Sequence, residues 1–226
     1  MGGCVLLAGG GSPRQEERVW RAAFEGVGRM VYWPFALPDS RIAQAPAWLR
    51  AGLDELGIDV EVDAWSSLDG HRPADLGAAD LLFVGGGTTS KLARHVHEHR
   101  FDQAVRDFVD AGGRYYGGSA GAVLAGASIA VGALADDDDP AAATDDRGLG
   151  LVPGVGLLPH ANIFAAADQQ SWSTTLGQPL LAIPEAGGVR VAGASGTVLG
   201  PDPVDLVDGA GRTTYQPGEV VPLTLR

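Results

Sequence analysis

A serine flanked by glycines is the feature of this sequence with the clearest capacity for chemistry. In the segment YYGGSAGA, Ser119 stands between Gly117 and Gly121 in the pattern G-x-S-x-G. An apolar run at residues 114–117 predicts a strand before it, and residues 120–127 predict a helix after it. A nucleophile on such a sharp turn needs small neighbours, because β-carbons two residues away would clash. The pattern predicts an exposed nucleophilic serine, although a helix-capping serine would also fit.

Two backbone amides are candidates for stabilising an oxyanion beside that serine. The amide of Ala120 follows the nucleophile, and a second strand ends in the glycines of VGGGTTS, where Gly87 offers another N–H group. Bare backbone at the carboxyl end of a parallel strand commonly presents donors to a ligand. A phosphate cradle or an ordinary turn would also fit these glycines. No G-K-[ST] sequence follows them, which excludes a P-loop.

A serine nucleophile needs a neighbouring base and an acid that orients the base. His160, in LLPHAN, is the histidine that follows Ser119 in the chain, and it stands where a short apolar run ends. Glu185 follows another apolar run, which favours it as the acid. The aspartates at 136–139 and 145–146 are the alternative, in an acidic stretch (residues 135–147) expected to form a solvated loop.

The other groups that could bind a metal or a cofactor give weaker patterns. His95 and His99 are four residues apart on a predicted helix, a spacing compatible with a metal, but no third ligand accompanies them. We interpret them as part of a polar helix face. The single Cys4 excludes an internal disulfide and a cysteine-based zinc cluster. We therefore predict neither a metal site nor a cofactor.

The elements that must position these residues follow the alternating pattern of a parallel sheet with crossover helices. Short apolar runs predict strands, and longer amphipathic segments predict helices between them. Beyond the serine the chain becomes rich in short strands punctuated by glycine. No repeat or long linker divides the chain, so we expect one domain over residues 1–226. The predicted strands are residues 4–8, 30–35, 58–64, 80–84, 114–117, 155–158, 181–184, 189–192 and 197–199, and the predicted helices are 16–27, 39–56, 88–99 and 101–111.

Composition and charge restrict the kind of partner. The 226 residues carry 16 Lys and Arg against 28 Asp and Glu, a formal net charge of −12. Because the cations form no cluster, binding to nucleic acid or to an anionic membrane is not expected. The apolar run at the N-terminus is too short for a secretory signal, and no stretch approaches a membrane span. We expect a cytoplasmic protein, monomeric or homodimeric, that acts on a small peptide.

Three blocks in a fixed order resemble the dipeptidase E and cyanophycinase group of serine peptidases, peptidase family S51. They are VGGGTT at Gly85–Gly87, GGSAGA around Ser119, and GLGLVPGVGLLPHAN with His160. The resemblance implies an α/β three-layer sandwich with a mostly parallel sheet, of the flavodoxin-like or class I glutamine amidotransferase-like kind. It also implies Ser119 as nucleophile, His160 as general base and Glu185 as orienting acid, with Gly87 and Ala120 in the oxyanion hole.

The resemblance implies cleavage of dipeptides with an N-terminal aspartate, but the sequence departs from the family in the residues near the site. Thr88 stands where an asparagine is common, and Gly118 stands where a tryptophan often precedes the nucleophile. The segment after His160, usually rich in cations, contains neither Lys nor Arg through residue 172. A substrate carboxylate would then have to bind to donors elsewhere near the site. We predict Thr88 and Thr89 as the residues that bind it, and Arg94 and Arg190 are further candidates.

The sequence therefore predicts a serine exopeptidase with a Ser-His-Glu triad and no cofactor. One alternative is an esterase of the α/β-hydrolase type, whose acid would come from residues 136–146 because that family orders its triad Ser, acid, His. The other is a non-catalytic module that binds a small anion or nucleotide at the glycine loops, with Ser119 as a ligand contact.

Overall fold

A computed structural model describes residues 3–135, 145–152 and 154–223, and it shows an α/β fold around an eight-stranded sheet. The strand order is β12-β9-β8-β1-β5-β4-β2-β3. The five strands at one side (β1, β5, β4, β2, β3) run parallel, whereas β8, β9 and β12 add antiparallel pairs. The strands of this sheet are β1 Cys4–Ala8, β2 Arg29–Trp33, β3 Glu61–Ala64, β4 Leu81–Val84, β5 Arg114–Gly118, β8 Gly188–Ala192, β9 Ser195–Val198 and β12 Val220–Pro222.

The central strands are buried on both faces, and their side chains alternate between two apolar clusters. On β1, Leu6 packs with one cluster, whereas Val5 and Leu7 pack with the other. Helices α1 and α3 cover the first face, and α4, α5 and α6 cover the second, which gives the three layers predicted. The helices are α1 Glu17–Phe24, α2 Asp39–Ile42, α3 Ala45–Leu56, α4 Thr89–Glu98, α5 Phe101–Asp110, α6 Ala120–Ala125, α7 Ala130–Ala135 and α8 Ala166–Leu176.

A second sheet of four strands lies beside the α4–α6 layer and was not predicted. Its order is β11-β10-β7-β6, with β6 and β7 parallel and the other pairs antiparallel. The sequence predicts β6 and β7 as strands but gives no sign that they leave the central sheet. These strands are β6 Gly156–Leu158, β7 Leu180–Ala182, β10 Val204–Asp208 and β11 Gly211–Tyr215.

The predicted elements of the parallel sheet are confirmed, with one helix divided. The single helix expected over residues 39–56 is two helices, α2 and α3, and Gln44 precedes the second without a side-chain capping bond. Pro46 lies in the first turn of α3, where a missing N–H group is tolerated, so the break precedes it. Of the acidic stretch, residues 136–144 lie outside the described residues. None of the described helices has the length and hydropathy to cross a bilayer.

Candidate active site

Ser119 lies on a strained turn between β5 and α6, as G-x-S-x-G predicts. Its backbone has φ 52° and ψ −117°, a combination that costs a residue with a side chain on the order of 1 kcal/mol. The hydroxyl of Tyr115, on β5, donates to the carbonyl of Gly121 at 2.6 Å and so ties the strand to the first turn of the helix. The surrounding structure thus holds Ser119 at the carboxyl end of the sheet.

The turn depends on Gly117, which gives a first prediction. A β-carbon at Gly117 would lie 2.4 Å from the carbonyl oxygen of Gly121, far inside van der Waals contact. We expect Gly117→Ala to lower the free energy of unfolding by about 3 kcal/mol, because the backbone must move. The matched control is Gly77→Ala, where a β-carbon meets nothing within 4 Å. Urea unfolding of both variants measures the difference, and equal midpoints would contradict this account of the turn.

The structure brings Ser119, His160 and Glu185 into one chain of contacts. His160 Nε2 lies 2.9 Å from Ser119 Oγ, and His160 Nδ1 lies 3.2 Å from Glu185 Oε1. With its proton on Nδ1, the imidazole donates to the carboxylate and accepts from the serine hydroxyl. The His160 side chain is 25% exposed and that of Glu185 is 36% exposed, so solvent reaches the histidine and the glutamate of this series of contacts.

Glu185 is held in place by a residue of the histidine block. The side-chain oxygen of Asn162, two residues after His160, accepts from the backbone N–H of Glu185 at 2.8 Å. Asp145 and Asp146, the described acids of the alternative stretch, bond instead to Arg147 and Ser128. The geometry therefore pairs Glu185 with the imidazole, while the aspartates at 136–139 lie outside the described residues.

Two glycine loops approach the serine and the histidine closely. A β-carbon at Gly10 would lie 2.5 Å from His160 Cε1 and Nε2, and the carbonyl of Gly9 accepts from the His160 amide at 3.0 Å. In the other loop, Gly86 faces the nucleophile, because its β-carbon would lie 3.3 Å from Ser119 Oγ. Gly87 has φ 139°, and a β-carbon there would lie 2.2 Å from the carbonyl oxygen of Ala36, whereas Ala120 begins α6 directly after the serine.

The threonines predicted to bind substrate lie apart from the cavity beside Ser119. Thr89 is buried in the first turn of α4, and its hydroxyl has no partner among the described residues. Thr88 is exposed at the cap of the same helix, where its amide donates to Ala36. Neither residue lines the cavity that Ser119 and His160 share, so their role in binding stays a prediction.

A buried carboxyl group under the first glycine loop was missed by sequence reasoning. Glu16 is 2% exposed, and its Oε1 accepts from the amides of Gly10 and Gly11 at 2.7 and 2.9 Å. Its Oε2 accepts from Trp20 Nε1 at 3.1 Å and from the Tyr116 hydroxyl at 2.5 Å. Glu16 thus fixes the loop that contacts His160. Nothing in the run QEER distinguishes it from its exposed neighbour, so no sequence signal could have found it.

The environment of Glu16 makes stability depend on pH. Burial raises its pKa from 4.5 to about 7, although the four donors oppose this shift. Between these values the unfolded chain releases the proton that the folded chain retains, so the contribution of Glu16 to stability is fully present below pH 4.5 and is lost as the pH rises to 7. We expect wild type to lose roughly 3 kcal/mol relative to Glu16→Gln over this interval. Urea unfolding at several pH values measures it, and a pH-independent difference would contradict it.

The histidine pair that could have suggested a metal is engaged in other contacts. His95 Nε2 accepts from the amide of Leu68 at 3.0 Å, and His99 pairs with Asp69 at 3.0 Å. Among residues 3–135, 145–152 and 154–223, no group of three or more potential ligands is arranged to hold a metal ion.

Comparison with known proteins identifies the family of this chain. The profile of peptidase family S51 matches residues 5–199. A peptidase E of Haemophilus influenzae is 29% identical over 137 residues, 56% of each chain. An uncharacterized peptidase of Listeria innocua is 34% identical over 131 residues, 54% of this chain and 61% of its own. The match to peptidase E of Actinobacillus pleuropneumoniae, 45% identical over 51 residues, spans only 22% of that protein.

A solved structure supports the fold over nearly the whole chain. The crystal structure of a peptidase from an acI-B1 actinobacterium superposes with a TM-score of 0.74 at 20% identity, covering 98% of this chain and 97% of the other. At this identity the likeness shows the fold, and the family profile carries the assignment. The profile match extends over most of the sequence and includes all three glycine, serine and histidine blocks, so the chain belongs to peptidase family S51.

Proposed function

We propose that this chain is a serine exopeptidase that hydrolyses short peptides, with dipeptides that begin with aspartate as preferred substrates. The observation that carries the proposal is the 2.9 Å contact between Ser119 Oγ and His160 Nε2 on a strained strand-to-helix turn. Membership in family S51 supports it. Nucleophile, base and orienting acid are side chains of the chain itself, so the proposed chemistry draws on no cofactor.

In the proposed first step, Ser119 Oγ attacks the scissile carbonyl while His160 Nε2 takes the hydroxyl proton. The carboxylate of Glu185 stabilises the resulting imidazolium and fixes its orientation. The negative charge that develops on the carbonyl oxygen is stabilised by backbone amides, for which Ala120 and Gly87 are the proposed donors. His160 then gives its proton to the leaving amine, and an acyl-serine remains.

In the proposed second step, water hydrolyses the acyl-serine. His160 removes a proton from the attacking water, the C–O bond to Ser119 breaks, and the proton returns to the serine oxygen. Gly10 and Gly86 pack against the imidazole and the serine, and any side chain there would enter the space in which these groups react. The bare loops are therefore compatible with acyl transfer at this position.

Hydrolysis of a peptide panel tests the proposal. The panel contains Asp-Leu, Asn-Leu, Ala-Leu and Leu-Leu with the tripeptide Asp-Leu-Ala, and released amino acids are quantified for wild type and Ser119→Ala. The proposal expects cleavage of Asp-Leu above the other dipeptides, with no cleavage by the variant. Equal cleavage of all four dipeptides would overturn the aspartate preference, and equal turnover by the two proteins would overturn the proposed nucleophile.

A further inference from the structure

The cavity beside Ser119 is far larger than the reacting groups require. Its volume is about 400 Å³, and it extends from Ser119 and His160 along the carboxyl end of the sheet beneath α2 and α3. Its lining includes the aromatic side chains of Trp20, Tyr32, Trp48, Phe83 and Tyr116. A peptide bound at the serine would place one of its ends in this space. The polar groups along the cavity therefore help to determine which end of the peptide binds there and which chemical groups that end carries.

Arg41, on α2, is the one Lys or Arg that lines this cavity among the residues the structure describes. Its side chain is exposed at the mouth, and its guanidinium has no hydrogen bond or ion pair with another described residue. The chain carries a net charge of −12, so acidic partners are abundant elsewhere on its surface. A guanidinium without a partner, in the same cavity as a nucleophile, is suited to a bidentate contact with a carboxylate.

Lys91 contacts the segment that carries Arg41 and pairs with the acid nearest to it in sequence. Its ammonium donates to the carbonyl of Leu37 at 2.6 Å and to Asp39 Oδ1 at 2.7 Å, which ties the start of α2 to α4. Asp39 is the acid nearest to Arg41 in sequence, and it is neutralised by Lys91. The segment is therefore held against the cavity while the arginine remains free to bind an anion.

Tyr32 offers a hydroxyl group to a ligand in this cavity. The residue is 1% exposed on β2 and lines the cavity, and its hydroxyl bonds to no other residue in the described part of the chain. The hydroxyl oxygen is not fully enclosed by protein atoms, so it faces the cavity. Burial raises the pKa of Tyr32 to about 12, so the hydroxyl keeps its proton near neutral pH and can donate it to a bound group.

The other cations suggested by the sequence do not reach this cavity. Arg94 is exposed on α4 and does not line it, and Arg190 lines a separate cavity with Glu25 and Asp59. The segment that follows His160 carries no cation through residue 172. Within the described residues, a carboxylate in the cavity beside the serine therefore has Arg41 as its cationic partner.

We propose that Arg41 binds a carboxylate of the peptide substrate and so determines specificity, an inference that rests on the proposed function. Two carboxylates could occupy the position, the side chain of an N-terminal aspartate or the C-terminal carboxylate of a dipeptide. Binding of the first would select the residue before the scissile bond. Binding of the second would select the length of the peptide and make the enzyme a dipeptidase.

The experiment compares Arg41→Gln with Arg94→Gln, which removes the same charge outside the cavity. Values of kcat/KM are measured for Asp-Leu, Asn-Leu and Asp-Leu amide. We expect Arg41→Gln to lower kcat/KM for Asp-Leu by about 10- to 100-fold, mainly through KM, with little change in Arg94→Gln. If Arg41→Gln loses the preference for Asp-Leu over Asn-Leu, Arg41 binds the aspartate side chain. If it loses the preference for Asp-Leu over Asp-Leu amide, Arg41 binds the C-terminal carboxylate.

A binding measurement separates this inference from the proposed function. Calorimetry measures binding of Asp-Leu to Ser119→Ala alone and combined with Arg41→Gln or with Arg94→Gln, which does not require turnover. If wild type cleaves no peptide but this binding weakens at least 10-fold with Arg41→Gln, the proposed function fails, whereas the binding of a carboxylate by Arg41 is supported. Equal values for Arg41→Gln and Arg94→Gln in both assays, or no binding of Asp-Leu, would overturn the inference.

Discussion

Replacing Ser119 with alanine is expected to lower kcat for the cleaved dipeptide by about 10⁴- to 10⁶-fold. The variant keeps the backbone and the cavity but has no oxygen to form the acyl intermediate. His160→Ala should lose nearly as much, and the double variant should lose little more, because the two groups act in one step. Steady-state rates on Asp-Leu measure all three. The matched control is Ser171→Ala, an exposed serine on α8 that should retain full activity.

A stability measurement shows whether the loss is chemical. Ser119→Ala retains the strained φ of 52°, so its free energy of unfolding should stay within about 0.5 kcal/mol of wild type. Ser119→Gly should be more stable by about 1 kcal/mol and equally inactive, because glycine adopts this backbone without strain. A glycine variant less stable than wild type would contradict the interpretation of the turn as strained for function.

Replacing Glu185 with glutamine is expected to lower kcat by about 10²- to 10⁴-fold. The amide cannot stabilise the imidazolium, and it can present an N–H group to Nδ1 and so favour the unproductive tautomer of His160. Steady-state rates on the same dipeptide measure the effect, and the KM should change little, since Glu185 does not line the cavity.

The same substitution distinguishes the two candidate acids. Asp145→Asn and Asp146→Asn should keep activity within about twofold, because Asp145 pairs with Arg147 and Asp146 with Ser128. Nearly full activity in Glu185→Gln, together with a large loss in a variant of residues 136–146, would favour the esterase-type order of the triad and contradict the assignment made from the geometry.

The sequence predicted the site best at positions where the backbone accepts only one type of residue. The glycines around Ser119 and those that follow β4 predicted the turn and the loop, and at Gly117, Gly121 and Gly87 a β-carbon would collide with backbone. His160 and Glu185 were predicted from their places at the ends of apolar runs. The three-dimensional contact between them, at 3.2 Å, required the second sheet to bring β6 and β7 side by side, and no local pattern expresses that pairing.

Other features were hidden because their roles depend on burial. Helix α8 has a polar sequence without an apolar stripe, so periodicity did not predict it. Glu16 resembles its exposed neighbours in sequence, yet it receives four hydrogen bonds beneath the active-site loop. Arg41 lies in a segment predicted as one continuous helix, whereas the structure divides that segment into α2 and α3 and shows Arg41 lining the cavity.

The measurement that tests the central claim most directly is detection of the acyl-serine. Wild type is mixed rapidly with an activated p-nitrophenyl ester and quenched in acid, and the acyl group is located by mass spectrometry of peptides. The account predicts a burst of p-nitrophenol of one equivalent per active site, with the acyl group on Ser119 and neither signal in His160→Ala. Product formation with no acyl group on Ser119, or with the group on another residue, would contradict it.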